Sequence, residues 1–237
     1  EMCIRDRMKG AFSSPDEVLE REIMNHLFPD TTYGCESGGD PKNIPDLTYE
    51  NFLNFHRTYY HPSNSYIYLY GDMDIDETLK FIDQEYLSHF DARNVYSAVK
   101  TQSPLPKRKI VEAPFGISEN ESLEKKTIHA LYIALNDHIT TEESLAFKIL
   151  SYVLVDMDGA PLKKAVLDAG IGNDVSSAYG DSYKQPVWTI EVTGSEIDKR
   201  EKFISTVDLV LRNLALDGID RNMLEAALNR TEFILRE

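Results

Sequence analysis

The stretch from residue 91 to 122 constrains this chain more than any motif in it. It holds Pro104, Pro106 and Pro114, the basic run Lys107-Arg108-Lys109 and the polar run Ser118-Glu119-Asn120-Glu121. Proline lacks an amide hydrogen and clashes with the preceding turn, so neither a helix interior nor a central strand runs through such a segment. Two bodies joined here are the expectation, with 101–122 as the linker. The basic triplet is read as a solvated linker charge run, with a patch for a partner as the alternative.

Before the break, helical and strand patterns alternate. Ser14-Pro15-Asp16-Glu17 predicts a helix start, with Ser14 as cap, Pro15 at the first position and Glu17 closing a capping box. Leu19, Ile23 and Leu27 then recur along one helical face, and Pro29 ends the run. A loop rich in Gly, Pro, Asp and Thr fills 30–47, and Thr48 caps a second helix carrying Phe52, Phe55 and Tyr59. Tyr66, Ile67, Tyr68, Leu69 and Tyr70 predict a strand ending at Gly71, and Leu79, Ile82, Tyr86 and Phe90 mark another helix, capped by Asp74 or Asp76.

After the break the same mixture returns. Strands are expected at Thr127–Leu135, Asn173–Tyr179 and Val187–Thr193, with Ile128, Ala130, Tyr132 and Ala134 on one face of the first. Helices are expected at about Thr141–Val155, from Gly159-Ala160-Pro161 to a closing Gly170, and at about Asp198–Leu214 and Asp220–Arg236. The fold class is therefore α+β, as two domains of related layout.

Charge and residue types exclude several functions. Asp and Glu number 40 against 25 Lys and Arg, a net charge of −15, and no clustered basic surface is visible for nucleic acid. The cysteines, Cys3 and Cys35, sit in no ligand spacing, which excludes a disulfide framework and a cysteine-built zinc site and reads as a reduced, intracellular chain. No apolar run approaches the ~20 residues that span a bilayer. The six histidines form neither H-x-x-E-H nor H-E-x-x-H, and His56 and His61, across a helix end, are read as packing or capping groups. G-x-S-x-G is absent, and Asp72, Asp74 and Asp76 lack the glycine and closing glutamate of a calcium loop. Gly38-Gly39 either lets a backbone approach a ligand or simply makes a turn. No catalytic and no metal-binding residue is assigned.

Several motifs in order resemble one family. Met8-Lys9-Gly10-Ala11-Phe12-Ser13, the loop from Tyr33 through Ser37-Gly38-Gly39-Asp40-Pro41, and Phe55-His56-x-x-Tyr59-Tyr60-His61-Pro62-Ser63-Asn64 look like the pitrilysin/insulinase metallopeptidases, peptidase family M16. Gly159-Ala160-Pro161-Leu162-x-x-Ala165-x-x-Asp168-Ala169-Gly170-Ile171 is similar to the second domain of the presequence-protease branch. The resemblance covers residues 8–237.

That resemblance implies two homologous pitrilysin-type domains, each an antiparallel-rich sheet with packed helices. Residues 8–100 would be the C-terminal part of the first, catalytic domain, and 123–237 the second, cut near its end. Members hydrolyse short unstructured peptides inside a closed chamber, using zinc held by an inverted H-x-x-E-H helix and a downstream glutamate. The helix would lie upstream of residue 1, and the glutamate slot immediately before Met8-Lys9-Gly10 holds Arg7, whose guanidinium offers no lone pair to a metal. Residues 1–7 are accordingly read as a non-native leader. The resemblance makes the chain an internal, inactive fragment of a zinc metalloendopeptidase, its zinc belonging to the parent protein. The second reading is a non-catalytic subunit or scaffold partner of an active peptidase. Its partners would be unstructured peptides and the remaining half of its own polypeptide, with no nucleic acid and no membrane. The compartment would be the cytoplasm, or an organellar matrix in a eukaryote. Ser37, Gly38, Gly39 and Asp40 are the candidate substrate-binding residues.

Overall fold

A computed structural model describes residues 2–237, without the side chains of Met2 and Cys3. Of the expected leader, Glu1 and those two side chains thus lie outside the described residues. The chain forms two units. The first takes the described residues up to Phe12 with Glu36–Lys100, and the second takes Ser13–Cys35 with Thr101–Glu237.

The second unit carries the sheet. Strands β1 (Thr127–Ala134), β2 (Asp174–Gly180) and β3 (Val187–Ser195) run antiparallel in the order β1-β3-β2. Trp188, Ile190 and Val192 alternate along β3, which places all three on one face. Leu162 and Val166 of a helix over Pro161–Asp168, and Phe203 and Val207 of one over Arg200–Asp217, join them in one buried cluster. On β1 the parity opposite to Ile128, Ala130, Tyr132 and Ala134 faces this cluster. His129 is buried and stacks on Phe203, and Leu131 packs on the cluster. Tyr132 takes the other face, where its hydroxyl donates to Glu191 and the helix Pro15–Leu27 packs on β1. Both faces are covered, so both parities carry apolar side chains.

Local chemistry explains the ends of the elements. Thr140 Oγ1 accepts from Glu143 N at 3.2 Å and the Glu143 carboxylate reaches back to Thr140 N at 2.8 Å, a full capping box for Thr141–Ser151. That helix continues as one π turn, Tyr152–Asp156, closed by Met157 N on Tyr152 O at 3.0 Å. The helix Pro161–Asp168 ends as expected at Gly170, whose φ is +61°. Gly170 N donates to Leu167 O and Ile171 N to Val166 O, the paired bonds that require a left-handed residue at this point. The last helix, Arg221–Arg236, buries Ala227 against Ile149 and Val153 and sets the Arg230 guanidinium 4.2 Å above the Tyr152 ring.

A staple of amides ties three distant segments of this unit. Gln102, 4% exposed, receives Asp30 N on its side-chain oxygen at 2.9 Å and donates its Nε2 to the Asp30 carboxylate at 2.7 Å. Its backbone N–H donates to Gln185 Oε1 at 2.7 Å, while Gln185 Nε2 returns a bond to Gln102 O at 3.2 Å. Tyr33, Phe28 and Tyr183 pack edge to face beside it.

The first unit, by itself, is helical. It contains Met2–Ala11, Tyr49–Tyr59 and Ile75–Glu85, with 3₁₀ turns at Ile44–Asp46, Pro62–Asn64 and Leu87–His89. Thr48 Oγ1 caps the second helix through Asn51 N at 3.1 Å, and Asp74 caps the third through Glu77 N at 2.9 Å, both as expected. Two expectations fail. Ser14, in the second unit, is extended, as a cap should be, but its side chain makes no capping bond. Residues 65–70 form no strand among the described residues, because no neighbouring strand pairs with them. Tyr66, Tyr68 and Tyr70 are 103%, 85% and 87% exposed.

Two outcomes test this account. Ile190→Ala, at a fully buried site on the central strand, is expected to cost about 2–5 kcal/mol in urea unfolding. Acid should also weaken the second unit. Hydrogen bonds from Lys163 and Lys148 hold the Asp174 and Asp181 carboxyls below their ordinary range. A lowered carboxyl stabilises the fold above the unfolded value and loses that contribution as pH falls through the lowered one. Asp156, raised by desolvation, opposes this. The melting temperature is expected to hold between about pH 8 and 5 and to fall below about pH 4, with high salt shrinking the difference.

Candidate functional site

The loop Ser37–Asp40 belongs to the first unit and is built by its own backbone. Gly39 N donates to Glu36 O at 3.1 Å, and Gly38 N to the Glu36 carboxylate at 3.2 Å. Asp40 then closes a second turn, its Oδ1 accepting Lys42 N at 2.8 Å and its carbonyl accepting Asn43 N and Ile44 N. Ile44 is 5% exposed and anchors the end of the loop.

This loop returns to the helix Met2–Ala11. A Cβ built on Gly38 would lie 2.4 Å from Met8 Sδ, and Arg5 Nε donates to Pro41 O at 3.3 Å. The residue after the slot expected to bear a metal ligand therefore sits against the glycine pair. Ser37 and Gly38 stay exposed, whereas the Asp40 carboxylate is engaged in its turn. What the loop presents outward is thus a small hydroxyl and peptide edges, which suits an extended backbone better than a charged ligand.

The two glycines differ in what they tolerate. At Gly38 the obstacle is the end of a flexible methionine, which can move aside. Gly39 has φ +88°, and its Cβ would meet Ile44 Cγ1 at 3.2 Å.

Elsewhere the donors are dispersed. His56 stacks on Tyr60 with ring centroids 4.7 Å apart, while His61 Nδ1 accepts Ser63 N at 3.1 Å and its ring meets Phe90 edge-on. Desolvation, then the Arg93 charge, hold His61 below its ordinary pKa, in keeping with a neutral ring that accepts at Nδ1. Arg7 lies exposed on its helix. Among the described residues no three His, Cys, Asp or Glu side chains are grouped to hold a metal ion. The described residues thus do not fit a zinc site.

Gly39→Ala is expected to destabilise the first unit by about 1–2 kcal/mol, whereas Gly38→Ala should change stability by no more than about 0.5 kcal/mol. Thermal melting of the two variants decides it, and equal losses would refute the assignment of strain to Gly39.

Comparison with known proteins gives a consistent result. The profile described as "Peptidase M16 inactive domain" matches residues 46–231. Protein HypA of Clostridium perfringens (strain 13 / Type A) is 45% identical over 234 residues, 99% of this chain and 24% of that protein. "Presequence protease 1, chloroplastic/mitochondrial" of Arabidopsis thaliana is 35% identical over 240 residues, 98% of this chain and 22% of that protein. The chain thus spans about a quarter of the length of the curated relatives it matches. Among solved structures, a protease from Helicobacter pylori superposes with a TM-score of 0.67 at 16% identity, over 99% of this chain and 56% of that one. Pitrilysin superposes with a TM-score of 0.56 at 14% identity, over 93% of this chain and 24% of that one. With its mixed helices and small antiparallel sheet, and with the family profile matched over most of its length, the chain belongs to the peptidase M16 (pitrilysin/insulinase) family.

Proposed function

We propose that this chain is a structural and substrate-facing portion of a zinc-dependent peptidase that hydrolyses short unstructured peptides inside a closed chamber. It contributes the end of the catalytic domain, residues 8–100, and most of the following domain, residues 123–237, joined by 101–122. By itself it is inactive. The observation that carries this reading is the family match to an inactive-domain profile in a chain whose own donors build no metal site among the described residues. Zinc, in this reading, is held by residues outside the chain, and the chain's own part is to bind and orient peptide. Ser37 and Gly38 present hydroxyl and peptide groups to an extended substrate, while Gly39 and Asp40 hold the turn.

The first unit supports a role within a longer polypeptide. Its helices expose Tyr49, Phe52, Phe55, Ile75, Leu79 and Phe81. Apolar surface of that extent is ordinarily covered in a finished domain. The cover proposed is the remainder of the same polypeptide, in keeping with relatives about four times longer than this chain. No described helix is long and apolar enough to cross a membrane. The proposed compartment is the cytoplasm, or an organellar matrix in a eukaryote.

A second reading, a non-catalytic subunit or scaffold partner, is favoured by one residue alone, Arg7 in the slot where the family carries a metal-ligating glutamate. The test compares this chain with the longer protein read from its native locus, by metal analysis and cleavage of an unstructured fluorogenic peptide. The chain alone is expected to show neither zinc at stoichiometry nor cleavage, and the longer protein both. Chelator-sensitive cleavage by the chain alone would overturn the main reading. An inert longer protein retaining Arg7 would establish the second.

A further inference from the structure

Within the second unit, residues 103–124 carry no helix or strand. Structureless segments of this length inside a compact body are uncommon and are usually functional lids or disordered. Here the segment is fastened at both ends. On one side Gln102 is buried in the amide staple, and on the other Lys125 N donates to the Glu196 carboxylate at 2.7 Å just before β1 begins. From Ser103 to Pro114 every residue is exposed, so apolar burial does little to hold it.

What holds it is charge. Arg108 grips Asp208 with two bonds, Nη2 to Oδ1 at 2.9 Å and Nη1 to Oδ2 at 3.2 Å, and Glu112 pairs with Arg200. Both partners lie on the helix Arg200–Asp217. From Arg200 to Asp208 the helix rises roughly 12 Å, and from Arg108 to Glu112 an extended chain covers roughly 13 Å. The lengths match, so the segment runs antiparallel along the helix with one pair at each end of the contact. The basic triplet, expected to be a solvated charge run, is thereby divided: its middle residue is engaged, and Lys107 and Lys109 remain exposed on either side.

We propose that residues 103–124 form a flap closed along the outer face of the helix Arg200–Asp217, hinged at its two fastened ends and released when ions compete for the two salt bridges that tie it to that helix. The hinge at Gln102 is buried and therefore little screened, while the two pairs to the helix are exposed and screened. Release is therefore confined to the middle of the segment and leaves the staple intact.

Trypsin reads this directly, because the flap carries three consecutive cleavage sites at Lys107, Arg108 and Lys109. Limited digestion of the full chain at 20 mM and 500 mM NaCl is followed by mass spectrometry, with cleavage after the exposed Lys80 as internal control. Cleavage in the triplet, relative to the control, is expected to rise about 1.5- to fivefold for each exposed pair lost. Asp208→Asn should bring that rise at low salt and reduce the further effect of salt. Glu112→Gln, a substitution on the flap itself, should do the same should Asp208→Asn disturb the helix. A triplet cut equally fast at both salt concentrations and in both variants overturns the proposal, as does acceleration shared by the control site.

Discussion

A strand persists only when neighbours take up its backbone hydrogen bonds and a layer covers its side chains, and this one requirement accounts for both units. In the second, β3 is paired on both sides, by β1 and β2, and Trp188, Ile190 and Val192 lie under two helices. Everything else there is arranged around that strand. In the first, Tyr66–Tyr70 is an equally strand-like sequence without a partner among the described residues, and its tyrosines stand in solvent. The difference lies in what surrounds each segment, since their intrinsic preferences are alike.

The parts of the structure legible in the sequence were those decided locally. Thr48 and Asp74 cap helices because an oxygen two or three residues ahead of a free amide meets it by geometry alone. Gly170 closes a helix because a left-handed residue is needed there and glycine adopts it at little cost. The three strands of the second unit were legible from alternation, since β-branched and aromatic residues recur with period two. The loop Ser37–Asp40 was legible as a turn, but that Met8 is the residue it meets was not, because the two lie far apart in the sequence and no pattern pairs them.

What escaped is non-local. The alternation of β1 does not say which face enters the core, because helices cover both sides of the sheet, so His129 and Leu131 enter the core while Tyr132 turns to Glu191. The Gln102–Gln185–Asp30 staple leaves no signature, since glutamine is ordinarily a surface residue and only its burial reveals its use. Nor does anything near residues 13–35 announce that they pack with the chain beyond residue 101. A segment that belongs, by sequence order, inside the first unit is recruited by the second through a pair of amides and a trio of aromatic rings.

That recruitment sets an order of events during synthesis. Asp30 leaves the ribosome before its partner Gln102, from which it is separated by 72 positions. At about 5–20 residues per second the delay is roughly 4–14 s. Over that interval the helix Pro15–Leu27 has no sheet to lie on, and an isolated helix of 13 residues is marginal in water. The nascent second unit thus begins with a helix that waits for its sheet, the stage at which a chaperone would find it most exposed.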